Sequence, residues 1–327
     1  MLKFSMVNFV SWAKHPAVLS RSQEAFYQAL KIPGTAQAFN AFYQRCAPAQ
    51  QRLLHAAFAK IFRQRQPLKH LGSWKGHFAS ATYTIPLRPA HLWLDWDTAL
   101  SLSGHDIEVK QTYHYLLQHY PIRTFFDVGA NYGTHSLLLS LAGVRTFAFE
   151  PNPGCHSYFW HLMEQNPSLH SPTLVKKGMG ETAGHFPLIY DPTETWNGRL
   201  STATESPLTS TQQQVEVEVI TLDDYIQHNG LSPDLMKIDT EGFELQVLKG
   251  AQHLLSQQRC FVLFESLRPT TPAETQDREA VFTLLTEAQY RLFSLPWRGE
   301  SQQQALQKTD FLSSSETNFI AIPCSVC

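Results

Sequence analysis

The segment that most constrains the fold is FFDVGANYG at 125–133, where an apolar run gives way to a glycine-rich turn. Phe125, Phe126 and Val128 are typical of the end of a buried parallel strand. The following THSLLLSLAG has leucines at helical spacing. A strand, a glycine turn and a helix in this order direct backbone N–H groups toward one bound ligand. The segment therefore predicts an α/β doubly wound sheet that binds a cofactor at this turn.

An acidic residue follows the turn at a distance that indicates which cofactor binds. The next strand ends at Glu150, about 20 residues after Gly129, where nucleotide-binding α/β folds hold a ribose. The spacing Gly129-x-x-x-Gly133 differs from the G-x-G-x-x-G of dinucleotide sites, and the carboxylate of Asp127 would repel a pyrophosphate. That carboxylate suits a cofactor with an amino group and no phosphate, so we predict S-adenosylmethionine. The alternative is that Asp127 only caps the turn.

Composition and charge limit the class of protein. The chain has 327 residues, of which 43% are hydrophobic and 17% charged, and its formal net charge is −2. This charge gives no basic footprint for nucleic acid, and no run is long and apolar enough for a membrane span. The five cysteines are odd in number and mostly far apart, as expected for reduced thiols. We expect a cytoplasmic protein that binds neither nucleic acid nor a membrane.

The pattern changes at about residue 105. Residues 1–104 are predicted to be a mainly helical segment, with its clearest helix at 48–65 and short strands at 77–96, and a candidate substrate cap. From 105 to 327, strands and helices alternate as in an open parallel sheet. A polar loop at 193–214 interrupts a β excursion. We expect this loop to close over a substrate with Trp196 stacked on it; the alternative is a solvated insertion.

A second group of acidic residues is predicted at the same edge of the sheet. Asp239 and Glu241 follow a predicted strand in MKIDTEGFE, and Glu265 ends the next strand. The carboxyl ends of parallel strands meet at one edge, where doubly wound folds bind ligands. These carboxylates could accept a proton, hold a divalent cation or cap the following helix, which is predicted from Glu244 to Leu255. His135 is a second candidate base, with a surface position at the helix end as the alternative.

Several ordered motifs resemble one known family. DVGANYG, FEPNP, ITLDDYI, KIDTEGFE, VLKGA, FES and TNFIAIP resemble the FkbM family of S-adenosylmethionine-dependent methyltransferases. The resemblance covers about 105–323. It implies a class I methyltransferase (Rossmann-like) fold that methylates hydroxyl groups of small molecules such as polyketides, sugars or glycolipids. A nucleic-acid methyltransferase and a donor-binding module without catalysis are the alternatives.

The resemblance also implies roles for individual residues. It implies that Asp239 lies beside the reacting centre and that Glu150 binds the ribose. It implies that Asp127, Gly129, Asn131 and Gly133 form the turn that contacts the methionine part of the donor. Ala130, Pro151, Gly178 and Met179 are the further residues predicted for the donor site. In LDDY at 222–225, the aspartates are predicted to be structural caps.

Overall fold

The structure is a computed structural model that describes most of the chain from residue 73 onward. The described ranges are 35–46, 73–88, 91–103, 106–168, 170–192, 194–201, 208–257 and 259–326, with a few isolated positions up to residue 54. The predicted helix at 48–65 lies almost wholly outside the described residues. Residues 1–107 and 108–327 form two compact units.

In the first unit, a helix and a hairpin share a small aromatic core. The elements are α1 (Thr35–Gln44), β1 (Ser73–Phe78), β2 (Ala81–Pro86) and α2 (Leu92–Ser103). Tyr43 and Trp74 are fully buried, and the ring of Phe39 meets that of Trp74 edge-on at 5.6 Å. The prediction of strands over 77–96 is wrong in its last part, because residues 92–96 begin α2. The assignment of residues 1–104 as a substrate cap stays a prediction.

The second unit alternates strands and helices as the sequence predicts. Its helices are α3 (Ile107–His119), α4 (Thr134–Leu141), α5 (Pro153–Glu164), α6 (Leu222–Asn229), α7 (Glu244–Lys249), α8 (Gln252–Ser256), α9 (Pro272–Glu287) and α10 (Lys308–Ser313). Its strands are β3 (Thr124–Val128), β4 (Arg145–Phe149), β5 (Thr173–Val175), β6 (Gly178–Met179), β7 (Gly184–Asp191), β8 (Glu194–Leu200), β9 (Gln213–Ile220), β10 (Leu235–Ile238), β11 (Phe261–Glu265), β12 (Tyr290–Ser294) and β13 (Asn318–Pro323).

A seven-stranded sheet forms the centre of this unit, in the order β12-β13-β11-β10-β3-β4-β5. The five strands from β11 to β5 are parallel, and β13 runs antiparallel to both of its neighbours. The strand order reverses between β3 and β10, which opens a crevice at their carboxyl ends. The predicted doubly wound α/β fold is confirmed.

A separate four-stranded sheet, in the order β6-β9-β7-β8, forms the β excursion. The prediction of a loop from 193 to 214 is wrong for residues 194–200, because they form β8 and pair with β7. The backbone of Trp196 therefore lies in a strand. Residues 202–207 and the side chain of Trp196 lie outside the described part of the chain, so stacking on a substrate stays a prediction.

A close backbone contact divides the helix that the sequence predicts after Phe243. The structure has α7 and α8 instead, with Gly250 between them. A Cβ on Gly250 would lie 2.0 Å from the carbonyl oxygen of Gly180, so only glycine fits there.

The carboxylate of Asp223 accepts hydrogen bonds from the N–H groups of His253 and Leu254 at 2.8 and 2.9 Å. Asp223 is thus a structural cap, of α8.

The main core lies on one side of the large sheet. Phe126 and Val128 on β3, Met236 and Ile238 on β10 and Phe264 on β11 belong to one buried cluster. These strands are mostly apolar, as expected where both faces of a sheet are covered, and Asp127 and Lys237 are the buried charged exceptions on β3 and β10. Among the described residues, no helix is long and apolar enough to cross a membrane.

Candidate active site

The turn after β3 brings two parts of the site into contact. The N–H groups of Gly129 and Ala130 donate to the carbonyl oxygen of Phe149 at 3.0 and 3.1 Å, which fastens the turn to β4. Gly129 has a φ of 81°, and a Cβ there would lie 1.8 Å from the carbonyl oxygen of Asp239. Only glycine fits this contact. The turn can therefore touch the end of β10 at the point where the strand order reverses.

Asp127 ends β3 as a buried carboxylate with one side-chain donor beside it. It is 2% exposed and accepts from the hydroxyl of Ser136 at 2.6 Å. Burial raises the pKa of Asp127 to about 6, although Lys237 and the Ser136 hydroxyl favour the ionised form. A cation bound beside this carboxylate would favour ionisation further. The position suits the amino group of the predicted cofactor.

Glu150 is held by the backbone on both of its oxygens. The N–H of Asn131 donates to Oε2 and the N–H of Asn152 donates to Oε1, each at 2.7 Å. Burial raises the pKa of Glu150 to about 7, although these two donors favour the ionised form. A carboxylate offers about four acceptor positions, so each oxygen can accept one more hydrogen bond. This geometry suits a pair of ribose hydroxyls.

Three carboxylates converge at the ends of β10 and β11. Oxygens of Asp239, Glu241 and Glu265 all lie within 4.8 Å of one another. We call these three residues the rim acids. Glu241 has a φ of 54°, a left-handed conformation that is uncommon for residues other than glycine. Such backbone conformations cluster at functional sites.

A buried lysine lies among these groups. Lys237 is 3% exposed, and its Nζ lies 2.5 Å from Oδ2 of Asp239. In the sheet, Lys237 is the neighbour of Asp127 in register. Its side chain therefore lies on the same face of the sheet as those of Asp127 and Asp239. The Lys237 ammonium therefore favours the ionised forms of both Asp127 and Asp239.

Comparison with known families identifies the family of this chain. The Methyltransferase FkbM domain matches residues 127–292, which is half of the chain. The chain belongs to the FkbM methyltransferase family. The match begins at Asp127 and extends into β12, so it includes the glycine turn, Glu150 and the rim acids. FkbM methyltransferases use S-adenosylmethionine, and this chain carries their domain.

Two curated proteins are similar to this FkbM chain over part of their length. The hexuronic acid methyltransferase AglP of Haloferax volcanii is 30% identical over 164 residues, which are 50% of this chain and 61% of AglP. The methyltransferase sdnD of Sordaria araneosa is 29% identical over 171 residues, 44% of this chain and 66% of sdnD. The chain thus spans less than two thirds of either relative.

Solved structures resemble the FkbM chain at low sequence identity. An FkbM methyltransferase from Methylobacillus flagellatus is 13% identical, with a TM-score of 0.39, over 83% of this chain and 60% of that one. An O-methyltransferase from Bacillus cereus in complex with SAH is 11% identical, also with a TM-score of 0.39, over 70% of this chain and 86% of that one. The strand order and the family together define a class I methyltransferase fold.

In this FkbM chain, the rim acids differ in their protonation. Burial opposes ionisation of Asp239, but the Lys237 ammonium outweighs it and lowers the pKa of Asp239. Burial and the charge of Asp239 raise the pKa of Glu265 to about 9, and the same two causes raise that of Glu241 to about 7. At neutral pH, Asp239 is therefore ionised, Glu265 is protonated, and Glu241 is close to its midpoint.

The spacing of the rim acids also bears on the predicted cation. Their oxygens are close enough for a single divalent ion to contact all three. The Lys237 ammonium, however, already supplies a positive charge to Asp239. The rim can thus be charge-balanced by a lysine and by protons.

His135 lies in the first turn of α4 and contacts Tyr113 on α3. Its Nδ1 is 3.2 Å from the hydroxyl of Tyr113, and the two rings meet edge-on. Burial, with the charges of Lys237 and Lys110, lowers the pKa of His135 well below its usual value. The imidazole is therefore neutral at physiological pH. His135 is half-buried in the first turn of α4, so its role as a base stays a prediction.

Pro151, Gly178 and Met179 are further donor-site candidates. A Cβ on Gly178 would lie 3.7 Å from the ring of Pro151 and 3.1 Å from Leu200, so these residues are neighbours. Met179 is 2% exposed, and its side chain packs in the main core. Gly178 and Met179 form the short strand β6, which pairs with β9.

Sequence reasoning missed the residues that hold the predicted ones in place. Lys237, Tyr113 and Ser136 each contact a predicted site residue. Only Lys237 left a signal, because lysine is very rarely buried, yet LMKI is otherwise an apolar strand. Tyr113 lies on a helix whose pattern fits ordinary core packing.

Proposed function

We propose that this protein transfers a methyl group from S-adenosylmethionine to a hydroxyl oxygen of a small molecule. The observation that carries the proposal is the contact between the glycine turn and Asp239, because it joins a nucleoside-binding turn to the rim acids. Among acceptors, a sugar is our first choice. AglP is named for a hexuronic acid, and carboxylates readily accept hydrogen bonds from several hydroxyls.

The residues of the crevice fit the donor. Asp127 would pair with its amino group, and Glu150 would accept from its ribose hydroxyls. When bound, the donor supplies an electrophilic methyl group on a sulfonium. The chain contributes positioning, because aligning an acceptor oxygen with the C–S bond supplies most of the acceleration.

The rim acids would bind the acceptor hydroxyl and accept its proton. Asp239, held ionised by Lys237, would accept a hydrogen bond from the hydroxyl and orient it. Glu241 would take the proton, since its pKa of about 7 lies near the working pH. His135 is a poorer base, because an imidazolium would form beside Lys237. A general base contributes about 10²–10⁴-fold to the rate.

The proposal is tested by mass spectrometry with labelled donor and a panel of D-glucose, D-glucuronic acid and a polyketide lactone. We expect one added methyl group on an oxygen. Asp239→Asn should keep the fold and lower turnover at least about tenfold. Lys308→Met, which removes an exposed ion pair with Glu279, is the matched control and should keep full activity. Full activity of Asp239→Asn would place the chemistry elsewhere.

Two further outcomes distinguish the alternatives. Donor binding without methylation of any acceptor would indicate a binding module. A divalent cation shared by the rim acids would make activity sensitive to EDTA and restorable by magnesium, whereas proton acceptance by Glu241 predicts that EDTA has no effect. The chelation experiment requires only the wild-type protein and the same assay.

A further inference from the structure

Glu265 is the rim acid to which the proposed function gives no role. It is half-buried at the end of β11. The register of the sheet pairs Ile238 on β10 with Phe264 on β11. The next residues, Asp239 and Glu265, therefore lie side by side at the strand ends, and their side chains point to the same face of the sheet. Glu265 is thus the direct neighbour of Asp239 along the sheet edge.

The contact between these two carboxyl groups requires a proton. Asp239 and Glu265 form a side-chain hydrogen bond. An ionised carboxylate has only acceptor oxygens, so one of the two groups must be protonated. Lys237 decides which one, because its buried Nζ lies 2.5 Å from Oδ2 of Asp239. An ammonium in contact with Asp239 keeps that group ionised, so the proton belongs to Glu265.

The surroundings of Glu265 act in the same direction. The charged groups that act on it from β10 and the segment after β10 are Asp239, Lys237, Glu241 and Glu244. Three of these four are acidic, and the one ammonium is in contact with Asp239. On the other side, the register neighbour of Glu265 is Asn318 on β13, whose Nδ2 donates to the carboxylate of Glu108 on α3 at 3.1 Å. Acidic groups on both sides therefore favour the neutral form of Glu265.

Resting on the proposed function, we propose that Glu265 is a positioning residue: as a neutral carboxylic acid it donates a hydrogen bond to Asp239 and fixes the carboxylate that orients the acceptor hydroxyl. Lys237 and Glu265 then hold Asp239 from two neighbouring side chains. A carboxylate accepts about four hydrogen bonds, so positions remain for the acceptor. Glu265 acts only through Asp239 and keeps its proton during the reaction, which leaves proton acceptance to Glu241.

Infrared spectroscopy of the wild-type protein, without donor or acceptor, tests the shared proton directly. At pH 8 we expect the C=O stretching band of a protonated carboxyl group, because the pKa of Glu265 is raised to about 9, whereas Glu241 and Glu150, at about 7, are mostly ionised. Labelling of glutamate with ¹³C should shift this band, and Glu265→Gln should remove it. Glu279→Gln, which removes an exposed ion pair with Lys308, is the matched control and should retain the band.

Two substitutions of Glu265 separate positioning from packing. The amide of Glu265→Gln can still donate to Asp239, so at least about a third of the wild-type turnover should remain. Glu265→Leu has a similar volume but no donor, and its turnover should fall about tenfold or more. Wild-type turnover should also decline above about pH 9, where Glu265 loses its proton, and Glu265→Gln should lack this decline. Turnover is measured with the donor and whichever sugar or lactone the wild-type protein methylates.

The outcomes separate this proposal from the proposed function. A wild-type protein without the infrared band, or a band that Glu265→Gln retains, would overturn the proposal. So would equal losses of turnover in Glu265→Gln and Glu265→Leu, or removal of the band by magnesium, which would assign the rim acids to a cation. If the band is present but no acceptor is methylated, the proposed function fails and the positioning role with it, while the hydrogen bond between Glu265 and Asp239 stands.

Discussion

Glu150 and Glu265 are both carboxylates at strand ends with raised pKa values, but different groups hold them. Glu150 accepts hydrogen bonds from two backbone N–H groups. One belongs to Asn152, which follows it closely in the chain, and the other to Asn131 in the turn after β3. Glu265 lies among Asp239, Glu241 and Lys237, and the charge of Asp239 helps to keep it protonated. Under the proposed function, the donor side is thus built on backbone and the acceptor side on side-chain charges.

This difference has a consequence for mutagenesis. A backbone donor cannot be removed by substitution, so the donor side should fail only where a carboxylate is lost or the turn is displaced. On the acceptor side, each charge sets the protonation of the next, so single substitutions should act on several groups at once. The following predictions test this contrast.

The largest effect is expected where the two sides touch. Gly129→Ala places a Cβ against the Asp239 carbonyl and should lower the free energy of unfolding by about 3 kcal/mol or more. Gly143→Ala is the matched control, since Gly143 has a φ of 86° but no atom within 4 Å of the added Cβ. Its cost should be about 1–2 kcal/mol, from the backbone alone. Urea denaturation of both variants checks the difference; equal costs would show that the contact is unimportant.

Removing one carboxylate from each side should separate their roles. Glu150→Ala should weaken binding of the methyl donor by about 1–3 kcal/mol, the range for a lost hydrogen bond to a charged group. Glu265→Gln should leave donor affinity within about threefold, because the amide resembles the protonated acid. Calorimetry measures both. Comparable losses in the two variants would mean that the donor and acceptor sides are not distinct.

Donor affinity should depend on pH through the donor side. Asp127, with a pKa raised to about 6, and Glu150, at about 7, must lose their protons to act as anions. Lowering the pH from 7.5 to 5.5 should therefore weaken donor binding by up to about 100-fold, with proton release on binding. Titrations in buffers of different ionisation enthalpy detect the protons. Glu265→Gln should retain this dependence, and its loss there would assign the protons to the rim.

The smallest effect concerns the stability of the ligand-free protein. Carboxyls whose pKa is higher in the folded state than in the unfolded state bind more protons when folded, so stability falls as pH rises between the two values. For Glu241 and Glu265, at about 7 and 9, this range extends from about pH 4.3 upward. Tm should decrease by a few degrees from pH 6 to 9, and Glu265→Gln should flatten the upper part. A flat wild-type profile would contradict the raised values.

Sequence patterns predicted the elements that the local sequence specifies. Hydrophobic runs predicted the parallel strands, and the central order of strands and helices followed from their alternation. The pattern failed at 92–96, which form part of α2, and at 194–200, which form β8 by pairing with β7. It also failed at Gly250, because the approach of Gly180 from another segment is invisible in the local sequence.

For the site, the sequence by itself determined the donor turn, because Asp127, Gly129 and Glu150 are placed by one strand–turn–helix unit and the strand that follows it. It also located the rim acids at strand ends. Only the tertiary structure decided how those acids share charge, since Lys237, Asp239 and Glu265 act through distances set by the pairing of β10 with β3 and β11. The same holds for Tyr113 and His135, which are 22 residues apart in the chain and meet only in the folded structure. Electrostatic energy depends on separation and burial, and neither is encoded by the type or spacing of the residues alone.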